Sequence, residues 1–387
     1  MQPMDDRPTI AVDARSLVGP PTGIGVFTLS MLKALADRGA VRCIGMAHRD
    51  LSCADELRRE GIELETQSAP SGVWWQQLTL PRRLAAPDID MVWSPLLTLP
   101  LRNPVPSVVT IHDLTPLVLP DAHRLKVRLS FLPFLGSTVR QARRIAVDSK
   151  ATAEDVQAHF PDSASRVQVV YPGIDPVFVP GDSEAIAETR QGLGCQRGYL
   201  LFSGTLEPRK NLATLLDAWE ALASSSAGTL PLVITGPYGW KSRSLASRIE
   251  QLQPLGLQYL GRLPRARQVE VMQAASIFVY PSLYEGFGLP AAEAMACGIP
   301  TIVSNRSSLP EVVGEAGVQF SPQDGGRLRE AIAELAGDPE LSNELGLRGL
   351  ERAKRFDWAR AAGEMEEIFL ETLKSDLPPA DEGLEAK

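Results

Sequence analysis

Cysteine is scarce in this 387-residue chain: Cys43, Cys53, Cys195 and Cys297 are scattered, and no C-x-x-C occurs. That spacing excludes a zinc ribbon and a disulfide framework and points to a reducing compartment. Long apolar runs are also missing. No stretch of about 18 apolar residues occurs, so no membrane-spanning helix is expected. Positive charge is in deficit. The net charge of −8 gives no general attraction to nucleic acid or anionic lipid, although basic residues cluster locally. The opening M-Q-P-M-D-D-R-P is acidic and polar and does not read as a signal peptide. The expectation is a cytoplasmic protein.

What is present is an ordinary globular composition, 44% hydrophobic, over a length that calls for two domains. Strands are expected at Thr9–Val12, Arg42–Met46, Glu63–Thr66, Met91–Trp93, Ser107–Ile111 and Ile145–Val147. Others follow at Tyr199–Ser203, Leu232–Thr235, Gln258–Leu260, Ile277–Tyr280 and Thr301–Val303. Helical stretches separate most of them. This alternation predicts α/β architecture with doubly wound parallel sheets, which bind ligands at the carboxyl ends of their strands. Tyr171–Pro176 carries two prolines and a glycine in six residues and marks a domain boundary. The expected division is 1–173 and 174–355, then a last helix at 356–373 and an acidic, disordered tail at 374–387.

The densest chemistry lies in Tyr280–Val313. After a strand, Gly286 and Gly288 flank Phe287, Pro290 suits the first turn of a helix, and Gly298 suits its C-terminal cap. Glu285 stands in the glycine loop and Glu293 in the first turn or so of the helix. A carboxylate there repels phosphate but accepts hydrogen bonds from vicinal hydroxyls, so Glu293 fits a ribose and Glu285 a sugar. Taken as a lone pair of acids, both read equally as solvated surface charges.

Further candidates are spread along the chain. Arg209 and Lys210, in S-G-T-L-E-P-R-K-N, open a helix and suit a diphosphate, Arg through bidentate bonds and Lys as a point charge. His112 follows V-V-T-I at a strand end; a lone histidine is more often structural. The loop Gly19–Gly25 leads into an amphipathic helix; Gly23 and Gly25 either cradle a phosphate or make a turn, and G-x-G-x-x-G is not met. Asp88-Ile89-Asp90 is a D-x-D that precedes a strand and reads as a turn, so no metal site is expected. Trp74-Trp75 with Arg82-Arg83 reads as a helix that either touches lipid or buries against the sheet. Arg124, Lys126, Arg128, Arg140, Arg143 and Arg144 surround an apolar L-S-F-L-P-F-L, a suitable docking face for a lipid-linked acceptor.

The string E-G-F-G-L-P-x-x-E-A-M-A-C-G-x-P, continued by L-P-E-V-V-G-E-A-G, resembles the donor site of glycosyltransferase family 4, the large retaining group with the GT-B fold. The likeness is strong from Val170 to Gly317. It implies two Rossmann-like domains facing a central cleft, with acceptor on the first and nucleotide sugar on the second, and a last helix returning to the first domain. It implies donor contacts at Gly23, Gly25, Gly204, Arg209, Lys210, Gly286, Phe287, Gly288, Leu289 and Glu293, and catalytic roles for His112 and Glu285. Neither cofactor nor metal is implied. The opening A-V-D-A-R, the P-T-G-I-G loop and T-I-H-D-L resemble bacterial transferases of surface polysaccharides, many of them mannosyltransferases. The expected donor is therefore GDP-mannose, with UDP-glucose as the alternative. The expected acceptor is a glycan or lipid-linked glycan, with peripheral contact to the inner membrane surface and no nucleic acid partner. A sugar-nucleotide epimerase and a non-catalytic sugar-nucleotide-binding subunit are the other classes this string admits.

Overall fold

A computed structural model describes residues 7–120, 134–225 and 229–374. Arg124, Lys126, Arg128 and the tail 375–387 lie outside the described residues, as does most of the L-S-F-L-P-F-L segment. The chain divides into two compact units. Residues up to Val118, those through Gly173 and those from Asp357 on form one, and Ile174–Phe356 form the other.

The first unit holds seven strands: β1 Thr9–Asp13, β2 Arg42–Ala47, β3 Glu63–Thr66, β4 Met91–Ser94, β5 Ser107–Ile111, β6 Arg144–Val147 and β7 Val167–Val169. Their order is β3-β2-β1-β4-β5-β6-β7, all pairs parallel. β1, β4 and β5 are buried at every residue, as a strand covered on both faces must be. One face is closed by the helices Gly23–Arg38 and Trp358–Lys374. Phe369 lies 5.8 Å from Trp93 and Trp358 lies 5.6 Å from Phe27, centre to centre. Arg38 Nε donates to Glu366 at 3.0 Å between the two helices. Gly173 lets the backbone run against Trp358, since a Cβ there would lie 2.4 Å from the indole.

The second unit holds six: β8 Leu200–Ser203, β9 Leu232–Thr235, β10 Leu257–Gly261, β11 Ile277–Tyr280, β12 Thr301–Ser304 and β13 Gly317–Phe320. Their order, β10-β9-β8-β11-β12-β13, is again parallel throughout. Both units are thus doubly wound α/β sheets. The expected strands are present; β7 and β13 are additional. These two edge strands are short and partly exposed, without the continuous apolar signal of a central strand.

Two expected elements differ. The helix after β1 begins at Gly23, with Thr22 as its N-cap residue, so Gly23 and Gly25 lie in its first turn and not in a loop. Trp74 and Trp75 sit on a helical stretch from Gly72 to Leu84 that includes a π-helical segment, and the two rings part: Trp75 is fully buried and Trp74 is 58% exposed.

Candidate active site

The strand order of the second sheet reverses between β8 and β11, the point at which an open α/β sheet leaves a crevice at its carboxyl ends. Both flanks carry motif residues. After β8 the chain passes Gly204 and makes one 3-10 turn, Pro208–Lys210. Pro208 sits at the turn's start, where no N–H is needed, and Asn211 ends it with φ 52°, a left-handed conformation that Asn tolerates. The helix Leu212–Ser225 follows at once, so Arg209 and Lys210 project from a rigid corner.

Opposite them, Glu285 follows β11. Lys210 Nζ donates to Glu285 Oε1 at 2.6 Å, and Arg209 Nη1 donates to Oε2 at 2.8 Å and to the Tyr284 carbonyl at 3.0 Å. Arg209 Nε also pairs with Glu207, and Lys210 donates to the Tyr280 hydroxyl. The side chains of Lys210 and Glu285 are each only 7% exposed. Burial works against a charged Glu285, but the neighbouring Arg209 and Lys210 overcome it and hold the carboxyl at about 2. For Glu207 burial wins over Arg209, and its pKa lies above the ordinary value.

The glycine loop is pinned from outside. Ser308 donates to the carbonyls of Glu285 at 3.0 Å and Phe287 at 2.7 Å. Gly288 has φ 98° and precedes the helix Leu289–Ala296; a Cβ there would lie 2.6 Å from Leu309. The Phe287 ring is buried edge-on against Phe356 at 5.1 Å, so its side chain serves packing and its backbone carries the loop. Gly204 and Gly236 make a close crossing, since a Cβ on Gly236 would lie 2.0 Å from the Gly204 carbonyl oxygen.

Glu293, the fifth residue of its helix, belongs to another network. Arg265 Nη1 donates to Glu293 at 3.2 Å and its Nη2 to Asp175 at 2.9 Å, with the guanidinium 4.4 Å from the centre of the Phe178 ring. Burial lifts Glu293 above the ordinary carboxylate range despite Arg265.

In the first unit, His112 follows β5. Its Nδ1 lies 2.7 Å from Asp148 Oδ2 and its Nε2 2.9 Å from the Pro95 carbonyl. A carbonyl only accepts, and so does an ionised carboxylate, so this geometry suits a ring protonated on both nitrogens. Burial opposes that charge, but Asp148 raises the His112 pKa above its ordinary value. Gly23 and Gly25 differ. Space around Gly23 is open, whereas a Cβ on Gly25 would lie 2.7 Å from the Ser16 carbonyl oxygen, which marks Gly25 as a packing position. Asp88 lies in a turn and pairs with Arg83 at 2.7 Å, and Asp90 accepts from the Thr9 N–H at 2.7 Å. Among the described residues no group of three or more His, Cys, Asp or Glu is placed to hold a metal ion.

Sequence reasoning missed Glu207, Tyr280, Asp148, Arg265 and Asp175. Glu207 stood inside the E-P-R-K-N string. Asp148 directly follows β6 just as His112 follows β5, so a polar residue after a buried strand was the available signal.

Two family models match, Glycosyltransferase Family 4 over residues 21–178 and Glycosyl transferases group 1 over residues 186–352. The O-antigen chain mannosyltransferase B of Escherichia coli is 30% identical over 358 residues, 88% of this chain and 93% of that protein. The chain is a family 4 glycosyltransferase. Its fold is GT-B, and solved structures share that fold. The crystal structure of Anabaena Alr3699/HepE in complex with UDP and glucose has a TM-score of 0.74 at 20% identity, covering 94% of this chain and 100% of that one. WaaG, a glycosyltransferase involved in lipopolysaccharide biosynthesis, has a TM-score of 0.71 at 18% identity, covering 93% and 99%.

Proposed function

We propose that this glycosyltransferase moves mannose from GDP-mannose, with retention of configuration and without a metal, to a glycan or lipid-linked glycan of a bacterial surface polysaccharide. The observation that carries the donor site is the convergence of Arg209 and Lys210 on Glu285 where the second sheet reverses its strand order. The mannose assignment draws on the likeness to the O-antigen mannosyltransferase.

In this reading the diphosphate replaces Glu285 as the partner of the two cations. Arg209 and Lys210 then stabilise the charge that develops as the nucleoside diphosphate leaves. Glu285, released, accepts hydrogen bonds from sugar hydroxyls. Gly204, Gly286, Gly288 and the backbone at Leu289 leave room for the phosphates, with Gly23 as a further open glycine. Glu293 takes the ribose hydroxyls by giving up Arg265. His112, whose pKa Asp148 raises, acts as a hydrogen-bond donor to the transferred sugar by giving up the Pro95 carbonyl, and not as a base. Exposed Val73, Trp74 and Leu78 beside exposed Arg82 give the first unit an apolar and basic surface suited to the membrane end of a lipid-linked acceptor.

The test is a panel of sugar nucleotides scored by release of nucleoside diphosphate with a cell-derived lipid-linked glycan fraction. GDP-mannose is expected to turn over fastest. Preference for a uridine donor would sink the mannose assignment.

A further inference from the structure

Glu207 belongs to the cation cluster of the second unit, yet the proposed reaction gives it no task. It directly precedes the 3-10 turn Pro208–Lys210, and its carbonyl accepts the Lys210 N–H at 3.0 Å. Its side chain is 4% exposed and accepts from Arg209 Nε. The segment after β9 packs over it. The Leu206 N–H donates to the Pro237 carbonyl and the Gly239 N–H to the Leu206 carbonyl, each at 2.9 Å, and a Cβ on Gly239 would lie 3.1 Å from Glu207 Cβ. Glu207 is therefore fixed by its own turn and by the loop beside it.

The two carboxylates hold Arg209 by different nitrogens: Glu207 takes Nε and Glu285 takes Nη1. In the proposed reaction the diphosphate displaces Glu285, which comes from 76 residues away. The contact with Glu207, two residues from Arg209, lies on the other side of the guanidinium. It keeps Arg209 aimed while Nη1 changes partner.

Charge sets the second part of the argument. Before the donor arrives, Glu207 and Glu285 cancel Arg209 and Lys210, and none of the four side chains is more than 19% exposed. The diphosphate of a nucleotide sugar carries one negative charge on each phosphate, and neither titrates near neutral pH. Its entry leaves excess negative charge in a buried place, which favours protonation of a carboxylate there. The charged groups acting on Glu207 are Arg209 and Lys210 from its own turn and Glu285 from the loop after β11. Burial already lifts Glu207 above its ordinary pKa against both cations, whereas Glu285 starts from about 2. A protonated Glu207 still has a carbonyl oxygen that accepts from Arg209 Nε.

We propose that Glu207 is a positioning residue that takes up a proton as the donor diphosphate binds, holding Arg209 in place while lowering the negative charge of the filled site. It rests on the reading that Arg209 and Lys210 hold the donor diphosphate. The sign follows from linkage. The donor-bound state binds more protons, so donor affinity rises as pH falls, by up to roughly tenfold per pH unit for one full proton. The rise ends where Glu207 is protonated in the free chain as well.

The test is calorimetric titration of the full chain with GDP-mannose, and separately with UDP-glucose, without acceptor, in pairs of buffers that differ in ionisation heat. The difference between buffers gives the protons taken up. Uptake is expected for the nucleotide sugar that binds, with affinity roughly threefold or more tighter at about pH 6 than at about pH 8. Glu207→Gln, neutral and of the same shape, should still bind but lose both the uptake and the pH dependence. Glu207→Leu, which cannot accept from Arg209, should weaken binding roughly tenfold across the range. If Glu207→Gln does not fold, infrared difference spectra of the wild-type chain must show a carboxylic acid band appearing with donor, and Glu285→Gln must keep that band at the acid end of the range. Donor binding without uptake, uptake retained in Glu207→Gln, or a band lost in Glu285→Gln overturns the role of Glu207 and leaves the donor site standing. Binding of neither nucleotide sugar overturns the donor reading itself, and the role of Glu207 with it.

Discussion

Both sheets bring charge to the carboxyl ends of their strands at the reversal of strand order, but they arrange it differently. In the first, Asp13 and Arg15 are two residues apart and lock each other bidentately, with one cation and one carboxylate. In the second, Arg209 and Lys210 reach across 76 and 75 residues to Glu285, with Glu207 as a second carboxylate. A local bidentate pair is permanent furniture: it orients Gln76 and leaves no net charge to offer. A long-range cluster of two cations and two carboxylates is, in the proposed reading, exchangeable, with an incoming diphosphate taking the place of a carboxylate. The same topology therefore carries a self-cancelled charge pair on one sheet and, in the proposed reading, a diphosphate site on the other.

Substitutions that remove one partner at a time sharpen this contrast. Lys210→Ala should have the largest effect, a fall in kcat/KM of roughly 100- to 1,000-fold in a diphosphate-release assay. It should also lower the unfolding temperature, because Glu285 loses one of its two cationic partners in a buried place. Unchanged turnover would break the contrast, since the cluster would then be structural on both sheets. Glu285→Gln and His112→Ala come next, each lowering kcat roughly ten- to a hundredfold with smaller changes in donor KM. Full kcat in Glu285→Gln with only a raised KM would make Glu285 a binding residue alone.

Glu293→Gln should act on the ground state, raising donor KM several-fold with kcat nearly kept. A cycle with Arg265→Met checks the pairing; additivity within about 0.5 kcal/mol would show that Arg265 and Glu293 do not couple. Smaller still is the acid response. Glu285 is depressed to about 2 from an ordinary 4.5, so its stabilisation is full above the higher value and is lost as pH falls toward the lower. Thermal unfolding of the wild-type chain should therefore steepen in that window, and Glu285→Gln should flatten it. The smallest expected effect is that of a chelator. Because the proposal has protein cations face the diphosphate, chelation should leave turnover unchanged, and restoration by magnesium or manganese after a loss would overturn that view.

Much of the architecture was legible in the sequence. Central strands such as β1, β5 and β11 are apolar runs bounded by turn residues, and burial on both faces demands that pattern. Edge strands β7 and β13 were not legible: they are three and four residues long, partly exposed, and carry no continuous apolar run like those of the central strands. The N-terminal glycine segment misled for a different reason. Glycine lowers helix propensity, yet Gly25 is in a helix because only a residue without a Cβ fits beside the Ser16 carbonyl. Trp74 and Trp75 were indistinguishable as a dipeptide; the helical rotation between neighbours sends one ring inside and leaves the other exposed.

The chemistry of the candidate site divides in the same way. Residue types and local order, E-P-R-K-N and E-G-F-G-L-P, determined that cations and a carboxylate stand at the ends of buried strands beside glycines. Family membership followed from those strings. Tertiary structure alone decided that Lys210 and Arg209 share Glu285, that Glu293 is engaged by Arg265, and that His112 sits between Asp148 and Pro95. The physical reason is range. Backbone propensity and side-chain period act over a few residues, whereas the pairing of buried charges depends on which strand ends the sheet brings within hydrogen-bond distance, and strand order is set by packing of the whole unit.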